Sequence, residues 1–231
     1  MEENSNMTAE RSLAIITEQI EKNRRAVSET LGQSLYISGL CVMTTSVLVA
    51  IINFLSMSAG FVGFGHVLWL LLPVAIWLLS RKYIKERTHT PTNMVGSLVA
   101  KTWKTFGIFG IGFFLIAIVC SSIMSSTMTT SEYAVVQIRV APVVVLLMGM
   151  AIAMSGQILN QRWLVWFGAV AGLLCFVLEH FEVGAWLLTK CVAMEPYETS
   201  VFMSTLPCLT VFIFSLVGLL LPGMMLKKQA V

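Results

Sequence analysis

Apolar residues run through this chain in long unbroken blocks and do not alternate with polar ones as in a half-buried strand. Five of six blocks reach bilayer length, about 20 residues at 1.5 Å each for about 30 Å of hydrocarbon, and the fifth falls a little short of it. They place spans at 35–55, 61–80, 105–124, 140–159, 163–178 and 201–226. Continuous apolar character predicts helices and not a barrel. Ahead of the first block the pattern changes. Leu13, Ile16, Ile20, Val27 and Leu31 fall within about 60° of one another at 100° per residue. Thr8 is placed to cap this helix, and Glu18–Lys22 and Glu21–Arg25 are i,i+4 pairs in the favourable order. An amphipathic helix is expected from Thr8 to Leu31, ending near Gly32, with Arg24 interrupting its apolar stripe.

The predicted fold is therefore all-α: a polytopic membrane helix bundle of six transmembrane helices plus an N-terminal amphipathic cytoplasmic helix. Its expected parts are a 1–33 N-terminal segment, a 34–226 transmembrane domain and a 227–231 tail. Composition agrees. Apolar residues make up 57% and charged residues 12%, too apolar and too poorly charged for a soluble domain. The N-terminus is acidic and polar and does not read as a signal peptide, so the first span is expected to serve as an uncleaved anchor.

Charge sets the expected orientation. Arg11, Lys22, Arg24, Arg25, Arg81, Lys82, Lys85, Arg87, Lys101, Lys104, Arg162, Lys227 and Lys228 fall on one side of the six-span layout. Only Arg139 and Lys190 fall on the other. Cations stay inside, so both termini are expected in the cytoplasm and the protein in the inner membrane. Pro91, Thr92 and Asn93 are placed to start a short helix carrying Val95, Leu98, Val99 and Trp103, lying in the interface or extending the third span.

Candidate chemistry is sparse. The chain has no Asp, which removes aspartyl proteolysis and Asp nucleophiles. Its five cysteines, Cys41, Cys120, Cys175, Cys191 and Cys208, have no metal spacing, and four lie in apolar runs where a thiol acts as a small hydrophobe. No Lys, Arg or Glu stands at midplane depth, which argues against ion-coupled transport. His66 is the ionisable residue inside a span. Glu179, His180 and Glu182 close the fifth span as a polar cluster, read chiefly as a solvated outer rim and not as a zinc motif. Gly168 and Gly172 form GxxxG, a route to close helix packing or a homo-oligomer, and Gly107 and Gly110 give the third span a small-residue face. Pro73 and Pro207 are interior and expected to kink their helices. No catalytic set, metal site, cofactor or nucleic-acid partner is expected.

The opening run Met7-Thr8-Ala9-Glu10-Arg11-Ser12-Leu13-Ala14-Ile15-Ile16, followed by Ile20-Glu21-Lys22-Asn23-Arg24-Arg25 and Gly32, carries a resemblance. It resembles small uncharacterised multispan membrane proteins of Bacteroidetes-type bacteria, which open with a Met-Thr-x-Glu-x-Ser-Leu-x-x-Ile helix. The likeness covers about 50 residues and the span layout. It implies no activity and supplies no catalytic residues. Such proteins are often encoded beside small winged-helix regulators, which implies a regulatory link. The preferred expectation is a non-enzymatic membrane protein whose helix at 8–31 engages a cytosolic protein or lies on the bilayer surface. A transporter or channel for a small neutral or apolar solute is the rival, and an outer-face hydrolase using His66, Glu179 and His180 a third.

Overall fold

A computed structural model describes residues 9–58, 64–84, 94–127, 139–191 and 196–229. Among them the chain is all-helical, without strands. The helices are α1 (Ala9–Ser58), a short 3₁₀ turn (Phe64–Val67), α2 (Leu68–Ile84), α3 (Met94–Thr127), α4 (Val140–Ile158), α5 (Arg162–His180), α6 (Val183–Cys191), α7 (Pro196–Phe214), a π-helical segment (Ser215–Leu220) and α8 (Leu221–Gln229). Among the described residues five stretches are long and apolar enough to cross a membrane: Arg11–Ser56, Met94–Met124, Val140–Ile158, Arg162–His180 and Thr205–Lys228. The predicted 61–80 span appears as the 3₁₀ turn plus the 17 residues of α2. Together they measure about 33 Å along the axis. Large apolar side chains such as Trp77, Phe109, Ile116, Trp166 and Leu174 face outward. In water this surface would be costly; it is the surface of a bundle that sits in lipid.

The helix expected to end near Gly32 does not end there. α1 runs unbroken for 50 residues, about 75 Å, joining the amphipathic segment and the first span in one element. Gly32 instead permits a close approach. A Cβ on it would stand 2.8 Å from Leu226 Cβ and 3.1 Å from the Gly223 carbonyl. One on Gly39 would meet the Leu220 backbone at 3.0 Å. α1 and the last span therefore pack antiparallel, backbone to backbone, as small residues allow in lipid. The missing Cβ serves contact with a neighbour and not chain termination.

α4 and α5 form a second antiparallel pair. A Cβ on Gly149 would meet Gly172 Cα at 2.6 Å and the Gly168 carbonyl at 2.7 Å. One on Gly156 would meet Val165 N at 2.7 Å. The GxxxG of Gly168 and Gly172 is thus occupied within the chain, leaving it unavailable for pairing with a second copy. The hairpin turns tightly: Gln161 N–H donates to the Gly156 carbonyl at 2.8 Å and Asn160 N–H to Gln157 at 3.1 Å. Asn160 adopts φ 55°. This is the left-handed helix end that Asn tolerates better than most residues.

The third span differs. α3 extends back to Met94, so 94–104 lengthens the span and does not lie as a separate interface helix. Val95, Val99 and Trp103 join the same apolar core as Val27, Leu31 and Leu35. The helix start expected at Pro91–Asn93, and the cap at Thr8, lie outside the described residues. Along its membrane length α3 is the least buried of the five spans. Gly107 opens on empty space, and Gly110 meets only Phe106 of its own helix. Their small-residue face is unpacked within the described chain.

α2 continues through Pro73 and α7 through Pro207. The helix widens into a π turn just ahead of Pro222. Leu221 N–H bonds the Leu216 carbonyl, five residues back. Pro222 supplies no N–H, and its ring would crowd the carbonyl four residues back, so widening the preceding turn relieves the clash.

Candidate functional site

The sequence-predicted polar residues fall into two separate places. At the far end of α1, Asn53 is wholly buried. Its Oδ1 accepts the Gly65 N–H at 2.9 Å, and its Nδ2 lies 3.3 Å from His66 Nε2. With Oδ1 already accepting, the amide donates and the imidazole accepts on Nε2, which puts the ring proton on Nδ1. Gly65 must be glycine here, since a Cβ would stand 2.7 Å from both Asn53 Oδ1 and the Val49 carbonyl. His66 itself is exposed. The arrangement fastens the 3₁₀ turn to α1 and satisfies donors that lipid cannot satisfy. Sequence reasoning missed Asn53; a neutral amide within an apolar run was the available signal.

Glu179, His180 and Glu182 do not act as one cluster. Glu179 is only 7% exposed, so it is no part of a solvated rim. Thr210 Oγ1 on α7 donates to its Oε2 at 2.9 Å, tying α5 to α7. Glu182 pairs instead with Arg139, which precedes α4, and both side chains are part-exposed. Glu182 takes φ 49°, turning the corner between α5 and α6. His180 points outward, stacked on Phe176 with centroids 5.2 Å apart and edge-on to Phe181 at 5.0 Å. Among the described residues no three His, Cys or Glu side chains gather as metal ligands. Each of these three polar groups is taken up by its own partner, and among the described residues they offer no general acid and base facing a common point.

Three buried serine hydroxyls are also committed. Ser46, Ser155 and Ser215 bond the carbonyls of Val42, Ala151 and Val211 in their own helices, at 2.8, 2.8 and 2.7 Å. Such back-bonded hydroxyls are satisfied in place and do not demand a ligand.

The feature that remains open is the start of α1. Residues 13, 31 and 49 are 18 apart, five full turns, so they share one azimuth. Val49 is 0% exposed and Leu31 6%, both in the bundle core, while Leu13 above them is 63% exposed. Ile16 and Ile20 stand on the same stripe and are exposed too. Val27, where the bundle begins, is partly buried. The stripe is the core face of α1 continued past the packed bundle. Arg24 lies within about 20° of that azimuth, and its Nε is buried without a hydrogen-bond partner among the described residues. The separate amphipathic helix expected from the sequence is therefore the upper half of a helix whose lower half is core.

No known protein-family model, curated protein or solved structure matches this chain.

Proposed function

We propose that this is a non-enzymatic multi-pass inner-membrane protein whose N-terminal helix stands in the cytoplasm as a stalk that binds a cytosolic partner. Six spans with both ends inside put thirteen of the fifteen cations on the cytoplasmic side. The unbroken passage of α1 through Gly32 is the observation that carries the stalk. A helix lying on headgroups would have to bend where it leaves the bundle, and bends of that size come at Pro, at paired Gly/Ser or at a π-bulge. α1 has no Pro and no π-bulge at 24–36, and it runs through Gly32 and Ser34 without a break. Leu13, Ile16 and Ile20 then stand in water unless something covers them. Covering a Leu or Ile fully contributes about 1.5–3 kcal/mol, so a partner that covers all three gains favourable free energy to set against the cost of association.

Spin labels placed singly at Leu13, Ile16 and Ile20 in reconstituted protein test this reading. Collision with a water-soluble relaxer is expected to exceed collision with oxygen at all three. Preferential contact with oxygen at these positions would show the helix lying in the lipid and would end the proposal.

A further inference from the structure

The open stretch of α1 has a defined chemical shape, and it narrows the partner; the inference rests on the stalk reading above. Three facts combine. The stripe Leu13, Ile16, Ile20 is continuous with a helix-packing face that α3 and α8 cover lower down through Val95, Val99 and Leu226. What fits above is another element that packs as those do, a helix seated on ridges of Leu and Ile. Second, Arg24 interrupts this face with a guanidinium whose Nε has no acceptor among the described residues. That atom is itself out of a partner's reach, but the Arg24 side chain as a whole is part-exposed, and a carboxylate is the acceptor that suits a guanidinium best. Third, Ser12, Gln19 and Asn23 line one edge of the stripe and carry no charge, and Lys227 and Lys228 are exposed where α8 reaches Gly32. Of the chain's other segments on the cytoplasmic side of the six-span layout, 85–93 is a poor cover, with no apolar side chain but Pro91.

We infer that the partner lays an acidic amphipathic helix on Leu13, Ile16 and Ile20 and presents a carboxylate to Arg24, completing the end of the bundle. Its apolar face spans about three turns, and its acid sits near one end, toward the membrane.

The test uses the full chain in its own membrane, with a photoreactive side chain replacing Ile16 and, as a control, Glu18 on the opposite face. The cross-linked peptide is mapped by mass spectrometry. The expected adduct at position 16 maps to an amphipathic helix of a cytosolic protein with Asp or Glu beside its apolar face, and position 18 gives none. Arg24→Gln is expected to cut the adduct at least tenfold and Arg24→Lys to restore much of it, at equal membrane abundance. A mapped segment lacking acidic residues, a second copy of this chain, or a yield indifferent to Arg24→Gln would overturn the inference while leaving the stalk an interaction surface. Adducts with lipid alone, or no adduct, would overturn the stalk reading as well.

Discussion

Thr210 gives its hydroxyl hydrogen to the carboxylate of Glu179 across the contact between α5 and α7, 2.9 Å from oxygen to oxygen. Both side chains are buried. Removing one partner from such a pair leaves the other desolvated and unpaired, which costs more than removing both. Thr210→Val is expected to destabilise the bundle by about 1–3 kcal/mol. Glu179→Gln, which keeps an acceptor for Thr210, is expected to cost less. The double variant Glu179→Leu with Thr210→Val is expected to cost less than the sum of its singles. Unfolding in mixed micelles measures all of these, and strict additivity would show that the two groups are not coupled.

Glycines separate by what surrounds them. Gly149→Ala would drive a methyl into the Gly172 Cα and the Gly168 carbonyl, both under 3 Å away. Backbone cannot swing aside as a side chain can, so a loss of about 1–3 kcal/mol is expected. Gly107→Ala meets nothing within 4 Å. It is expected to be neutral or to stabilise by up to about 1 kcal/mol through helix propensity. Thermal unfolding of the two variants in one detergent checks the contrast.

Asn53 fastens two groups at once, the Gly65 N–H and the His66 ring. Asn53→Leu leaves the Gly65 donor buried and unpaired, for an expected cost of about 1–3 kcal/mol. His66→Ala removes only an exposed ring that accepts from Asn53, and less than about 1 kcal/mol is expected. Amide hydrogen exchange at Gly65 supplies the readout: fast exchange in Asn53→Leu and slow exchange in His66→Ala. Equal protection in both variants would refute the assignment.

The two left-handed corners should differ in what substitution costs. Asn160 tolerates its φ of 55°, whereas Glu182 at φ 49° has a side chain poorly suited to it. Glu182→Gly relieves about 1 kcal/mol of backbone strain and loses a part-exposed ion pair with Arg139 worth about 0.2–1 kcal/mol. The two nearly cancel, and a change within about 0.5 kcal/mol is expected. Asn160→Val has no such offset, and a β-branched residue at that φ is strained, so a clear loss is expected in the same unfolding assay.

The helical fold was legible because block length and continuous apolarity follow from bilayer thickness, a constraint acting on each segment alone. The rest depends on which segments meet. Gly32 reads as a stop because an isolated glycine weakens a helix; only the approach of Gly223 and Leu226 gives it another purpose. Gly107 and Gly168 look alike in sequence, and a facing glycine on α4 distinguishes them. Glu179 reads as a rim residue from its place at a span end, and its burial comes from Thr210, 31 positions away. The stripe at Leu13, Ile16 and Ile20 was visible as periodicity, but its continuity with Leu31 and Val49 shows only when α1 is known to be one helix.

That continuity yields a direct distance. In an unbroken α-helix, labels at Glu18 and Thr44 are 26 residues apart and stand about 39 Å from each other along the axis. Both side chains are exposed, so labelling leaves the core intact. Double electron–electron resonance on the reconstituted protein is expected to give one narrow distribution near that value. It is expected to stay unchanged when Gly32→Ala perturbs the α1–α8 contact, because the helix and not that contact holds the two labels apart. A helix hinged at Gly32 and folded onto the headgroups would shorten the mean by several ångströms and broaden it. In that case Leu13 would no longer stand above Leu31, and the apolar stripe would belong to the lipid and not to a partner.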